Sequence, residues 1–257
     1  PLSYEEMEAW YDMAEWEVGV AGDGDGNRFQ GTRKRGYPLP PTPDTKTRLA
    51  LQKGANTLGW STFPVPILIN TAPFQGRPAC VQCKYCVGFT CPSNSKNGTH
   101  AHIIPRALET GNCELITEAI VANIETDAHG QANGVTYFVE EDGATQRKTA
   151  HATVLVVSGG AIESARLLLN SRSEKHPNGI GNQSDQVGRN LQGHYYPGAV
   201  GHTPAPVFTG KGPGPSIATT QFNHGNEGIV GGGMLADEFV KLPIIYWKNA
   251  LPPEVPR

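Results

Sequence analysis

Residues 152–171 constrain the fold more than any other stretch. Ala152-Thr153-Val154-Leu155-Val156-Val157 is a continuous, largely β-branched run; Ser158-Gly159-Gly160-Ala161 follows at once, and 162–170 reads as a helix. A strand without polar alternation is one expected to be covered on both faces. Glycines at a strand-to-helix turn admit another backbone or a ligand closely. The helix start directs free N–H groups and a positive dipole end at an anion, typically a phosphate. A tight βα turn that needs glycine only for packing has the same spacing, so both readings stay open. The turn is not G-x-G-x-x-G and is therefore not a primary dinucleotide fingerprint.

The rest of the chain reads as mixed α/β. Ser3-Tyr4-Glu5-Glu6 is a capping box for a helix running to about residue 18, with Met7, Trp10, Tyr11, Ala14 and Val18 on one face. Residues 22–43 have no periodicity, and Asp23-Gly24-Asp25-Gly26 is expected to be a plain turn because the later ligands of a calcium loop are missing. A second helix is expected over 45–58 with Leu49, Leu51, Ala55 and Leu58 as its apolar side. A short strand is expected at 66–69 and a helix at 99–108. Strands follow at 114–125, 134–140 and 146–157, turning at His129-Gly130 and Asp142-Gly143. Beyond the 162–170 helix the chain is rich in Gly and Pro, with loops and short strands.

At 257 residues the chain can bury a substantial core, and its formal charge of −3 carries no electrostatic footprint for nucleic acid or anionic membrane. Arg33-Lys34-Arg35 is expected to be solvated. No run approaches the ~18 apolar residues of a membrane span. The compartment is left open between cytoplasm and periplasm. Asn97-Gly98-Thr99 and Asn182-Gln183-Ser184 match the glycosylation sequon, a frequent chance match. His100 and His102 suit a loop or cap; His194 suits either a substrate channel or a structural hydrogen bond.

Four of five cysteines fall within twelve residues: Cys80-x2-Cys83-x2-Cys86-x4-Cys91-Pro92. This is one residue longer than a bacterial ferredoxin run, so Cys80, Cys83, Cys86 and Cys91 are candidate ligands of an iron–sulfur cluster. Zinc and unligated structural thiols are the alternatives. Cys113, alone before a strand, is expected to be buried.

Several segments together resemble the glucose–methanol–choline (GMC) oxidoreductases. Val157-Ser158-Gly159-Gly160-Ala161-Ile162-Glu163-Ser164, followed by Arg166-Leu167-Leu168-Leu169-Asn170-Ser171, is similar to that family's second flavin-binding segment, which ends near a serine. Asn178-Gly179-Ile180-Gly181-Asn182 and Val187-Gly188-Arg189-Asn190-Leu191-Gln192-Gly193-His194 resemble the run that follows it. Glu118 to Ile124, with Asn133-Gly134-Val135, resembles the family's adenine-side hairpin. Pro1-Leu2-Ser3-Tyr4-Glu5-Glu6 with Tyr11-Asp12-Met13-Ala14-Glu15 resembles its preceding helix. The likeness runs over about 1–195 in the family's order.

The resemblance implies an FAD-dependent enzyme oxidising the CH–OH group of an alcohol or sugar. Fold and domains follow: a central part of an FAD-binding domain over 1–195, with its parallel strand–turn–helix, and the start of a substrate-binding β-sheet domain over 196–257. It implies FAD contacts at Val121, whose main chain would pair with adenine, and at Ser158, Gly159, Gly160 and Ala161. No catalytic residue is assigned, since the family's active-site histidine is expected beyond residue 257, and the ADP fingerprint before residue 1. The chain is thus expected to be an internal fragment, inactive alone. Sugar dehydrogenases of the family carry an iron–sulfur cluster in a comparable cysteine loop and pass electrons to a cytochrome partner; other members keep such a loop without a metal. The rival readings are an electron-carrier module or a zinc-stapled interaction domain built on the cysteines.

Overall fold

The computed structural model describes residues 2–83, 85–86, 89–199, 201, 203–207 and 212–237. The chain forms two compact units, one of Pro1–Cys113 with Ala199–Arg257 and one of Glu114–Gly198. Part of the 196–257 segment, residues 238–257, lies outside the described residues.

The first unit opens with α1, Tyr4–Val18. Ser3 and Glu6 close the capping box, with Ser3 N–H donating to Glu6 Oε2 at 2.7 Å and Glu6 N–H to Ser3 Oγ at 3.3 Å. Gly19, at φ 78°, ends the helix in the left-handed conformation that favours glycine. The expected apolar face is not the one turned inward: Trp10 is 61% exposed, and Tyr11 and Ala14 are exposed as well. The acidic stripe Glu8, Asp12 and Glu15 faces the protein instead. Glu8 pairs with Lys34 at 3.2 Å, Asp12 with Arg35 at 2.8 Å, and Glu15 chelates Arg33 through both oxygens. The basic tripeptide expected to be solvated is therefore a clasp. The Arg33 guanidinium lies 4.2 Å from the Tyr37 ring centre and that of Arg35 lies 3.9 Å from Trp16. Charge pairing and cation–π stacking with 33–37 set the rotation of α1, which periodicity alone assigned to the apolar side.

α2, Lys46–Thr57, is capped by Thr45, whose Oγ1 accepts from Arg48 N–H at 3.1 Å. Its expected apolar side is exposed at Leu49, Leu51 and Leu58, and no α2 residue is fully buried. The strand expected at 66–69 is reduced to single bridges, Ala21 to Ile67 and Ile69 to Lys96. A regular sheet forms nearby: β1, Phe63–Pro64, pairs antiparallel with β5, Ile217–Thr219, which pairs with β6, Leu235–Ala236. Phe63, Ile217 and Ala218 are core residues there. A 3-10 turn, Thr99–Ala101, leads to α3, Ile103–Glu109. His102 precedes α3 with its Nε2 2.8 Å from the Glu17 carbonyl, fitting the cap reading. Cys113 is exposed rather than buried, because no described strand follows it directly.

The second unit is a β-meander with one helix. β2, Ala119–Thr126, pairs with β3, Ala132–Glu141, which pairs with β4, Ala144–His151, all antiparallel. Asp142 and Gly143, at φ 52° and 75°, make the two-residue turn between β3 and β4. β4 ends at His151. The 152–157 run, expected to continue as a strand, bends at Thr153 and Val154 and forms no ladder, with Val154 77% and Val156 80% exposed. Among the described residues no strand lies beside it to take its main-chain bonds. α4, Gly160–Asn170, starts two residues earlier than its apolar pattern suggests. Asn97 and Asn182, the sequon asparagines, are buried and hydrogen-bonded.

Candidate functional site

β2 is the edge strand of its sheet, so half of its main-chain groups face away from β3. Ile124 turns its N–H outward, donating to Ser171 Oγ at 2.9 Å. The register slips between Val121 and Asn123, leaving Ala122 as an extra residue. One extra residue reverses the strand's alternation, and Val121 therefore takes the outward direction too.

Beside this edge lies a cavity of about 360 Å³, contained within the second unit. Ala119, Ile120, Val121 and Ile124 form one wall, residues 155–159 a second, and the first turns of α4 a third. Of the residues expected to touch a cofactor, Val121, Ser158 and Gly159 line this one cavity; Gly160 and Ala161 follow at the start of α4 without lining it. Gly160 sits at φ 78°. At Gly159 a Cβ would lie 3.3 Å from Ser164 N, so the absent side chain keeps the opening turn of α4 clear. That turn has no side-chain cap, and its first N–H groups remain available to an acceptor. Glu163 and Arg166 also line the cavity but are paired to each other, Nε to Oε2 at 2.6 Å.

A mostly apolar cavity, a strand edge with outward main-chain groups and an uncapped helix start for an anion are features that suit the adenosine half of FAD. Sequence reasoning missed Ile124, Val135, Ser164 and Leu167 as lining residues, since nothing in their pattern separates a cavity wall from ordinary core. His194, read as either a channel or a structural residue, is exposed in this unit, its ring 5.6 Å from that of Tyr196.

The cysteine loop belongs to the first unit and is anchored by Arg77. This buried guanidinium donates through Nη1 to the carbonyls of Asn94 and Lys96, at 3.2 and 3.0 Å. Nη2 donates to Asn70 Oδ1 at 3.4 Å and to Asn97 Oδ1. Asn97 Nδ2 reaches the Gly19 carbonyl at 2.7 Å, tying the loop to the end of α1. Cys91 Sγ accepts from Ser95 N–H at 3.3 Å and lies 3.5 Å from Ser93 Oγ. Burial would push its thiol up, but the Ser93 hydroxyl and the N–H groups of Ser95, Lys96 and Ser93 outweigh it and bring the thiol down to about 7. Burial raises Cys80 and Cys86; the thiols of Cys83 and Cys91 add to the rise at Cys80, and those of Cys80, Cys83 and Cys91 to the rise at Cys86. All the cysteines carry free thiols. Among the described residues no three His, Cys, Asp or Glu side chains group to hold a metal ion.

An oxidoreductase scaffold is the class these features point to. The chain belongs to the GMC oxidoreductase family, which matches residues 2–196. It is 31% identical over 227 residues to the fructose dehydrogenase large subunit of Gluconobacter japonicus, covering 88% of this chain and 40% of that protein. It is 32% identical over 225 residues to the 6'''-hydroxyparomomycin C oxidase of Streptomyces lividus, covering 85% and 40%. With the gluconate 2-dehydrogenase flavoprotein of Pantoea cypripedii it shares 26% identity over 258 residues, covering 90% and 41%. The chain thus spans about two fifths of the length of these relatives. No described helix is long and apolar enough to cross a membrane.

Proposed function

We propose that the protein carrying this chain is an FAD-dependent dehydrogenase or oxidase acting on the CH–OH group of a sugar or alcohol, and that residues 114–198 hold the adenosine half of the cofactor. The observation that carries this reading is the convergence of Val121, Ser158 and Gly159 on one cavity. Family membership and the oxidase and dehydrogenase names of the relatives support it.

On this reading FAD, when bound, takes up the hydride released by the substrate carbon. This chain's own residues bind and orient. The Val121 main chain offers one donor and one acceptor along the strand edge, Ile120, Ile124 and Val156 supply apolar walls, and the first N–H groups of α4 would donate to a phosphate oxygen. Gly159 keeps that approach open. A protein electron acceptor is part of the proposal only on the ground that the Gluconobacter relative is named as a large subunit.

The test is FAD binding to the full-length protein, followed by flavin fluorescence. Val121→Pro removes one outward N–H, and proline is tolerated on an edge strand where that N–H makes no ladder bond. Losing one hydrogen bond of roughly 1.4 kcal/mol weakens FAD about tenfold, whereas Val121→Ala retains wild-type affinity. A protein with no affinity for FAD, or a proline variant that binds FAD as tightly as wild type, overturns the reading.

A further inference from the structure

Ser171 does not line the cavity, yet it joins two residues that do. Its hydroxyl accepts from Ile124 N–H at 2.9 Å and donates to the Leu167 carbonyl at 2.7 Å. Ile124 and Leu167 stand on the β2 wall and the α4 wall of the cavity. The side chain is 1% exposed, so no water replaces either bond. Both groups it bonds are main chain, one on the open edge of a sheet and one in the last turn of a helix. The surrounding chain holds this bridge in place. Ser171 N–H itself bonds Leu167 O at 3.0 Å, and Ile180 N–H caps the Leu168 carbonyl at 3.0 Å. Gly179, at φ 98°, allows that wrap: a Cβ there would meet Leu168 O at 2.7 Å.

We infer that Ser171 is a positioning residue for the adenosine half of FAD, fixing through Ile124 and Leu167 the distance between the strand edge and the helix that enclose the cofactor. The inference rests on the proposed function above. Ile124 is three residues from Val121, across the single-residue slip at Ala122. A strand pinned at Ile124 presents the Val121 main chain at a fixed height above α4. Without the pin, the irregularity at Ala122 is a natural point for the edge to move. A cofactor that pairs with main chain rather than side chains tolerates little such movement.

The experiment uses the full-length protein freed of cofactor, with FAD, ADP and FMN as probes. FAD and ADP share the adenosine half; FMN lacks it. Ser171→Ala is expected to weaken FAD and ADP by the same factor, about tenfold, and to leave FMN binding within twofold of wild type. Ser171→Thr, which keeps the hydroxyl, restores FAD and ADP affinity. Amide exchange at Ile124 speeds up in the alanine variant and not in the threonine variant. If Ser171→Ala does not accumulate folded, Ser171→Cys, near-isosteric and a weaker acceptor, carries the same comparison. Equal loss for all three probes, or unchanged FAD affinity with only a lower melting temperature, makes Ser171 structural and overturns the inference. Wild-type protein that binds neither FAD nor ADP overturns the proposed function instead, so the two failures are distinguishable.

Discussion

Replacing Arg77 with methionine tests the idea that one buried cation organises the cysteine loop. The guanidinium satisfies four acceptors: the carbonyls of Asn94 and Lys96 and the side-chain oxygens of Asn70 and Asn97. Asn70 is wholly buried and Asn97 nearly so, leaving little water to take over. Two buried oxygens left unpaired cost about 1–3 kcal/mol each. Against this, the native state already carries a cost, since Arg77 Nε has no partner and burial lowers the affinity of the group for its proton. Relief of that desolvation offsets part of the loss, and the balance is a destabilisation of about 3 kcal/mol. For a folding unit of about this length that corresponds to roughly 6–12 °C in melting temperature. Urea unfolding followed by tryptophan fluorescence measures it, because Trp16 lies in the clasp that this hub adjoins through Asn97 and Gly19. Arg77→Lys keeps the charge but cannot span both carbonyls and both amides, so it recovers less than half of the loss. A loss below about 0.5 kcal/mol in the methionine variant, or full recovery with lysine, refutes the argument, the first by denying the network and the second by reducing it to charge.

The clasp makes an ordered prediction. Arg33→Ala, losing a bidentate carboxylate and a ring contact in a mostly buried setting, costs about 1–2 kcal/mol in urea unfolding. Arg35→Ala, half exposed, costs less; the reverse order contradicts the assigned inner face of α1. Cys91, with its thiol brought down to about 7, is alkylated by iodoacetamide ahead of Cys80 and Cys86, whose thiols are raised. Its modification rate climbs between about pH 6 and 8 and flattens above, as the thiolate fraction saturates; peptide mass spectrometry reads this, and equal rates at all three cysteines refute it.

Local chemistry was legible in the sequence and long-range pairing was not. The Ser3 capping box, the end of the first helix at residue 18 and the Asp142-Gly143 turn are decided within four or five residues, and the structure has each of them. The face of α1 was misread because its deciding partners, Arg33 to Arg35, lie some twenty residues away and show no periodicity. The 66–69 run has strand composition, but its partners are single residues, Ala21 and Lys96, so it forms bridges rather than a ladder. The cofactor-side residues followed from family resemblance, and the structure draws Val121, Ser158 and Gly159 to one cavity. The cysteine spacing showed four thiols on one short loop, but the Arg77 hydrogen bonds that hold that loop depend on Asn70, Asn94, Lys96 and Asn97, which no spacing rule picks out.

The character of the cavity argues for recognition by main chain. Its walls are mostly Ala, Ile, Val and Leu, and its charged side chains, Glu163 and Arg166, neutralise each other. A polar ligand in such a slot must find its hydrogen bonds in the strand edge and the helix start, where N–H and C=O groups are fixed by secondary structure and carry no rotamer entropy to lose. On that reading exchange of one apolar wall residue for another is expected to matter less than the placement of the two elements. Placement is set at the bulge after Val121, at the side-chain-free Gly159 and at the Ser171 bridge. On the proposed reading, the residues that offer the ligand least through their side chains are the ones that set its place.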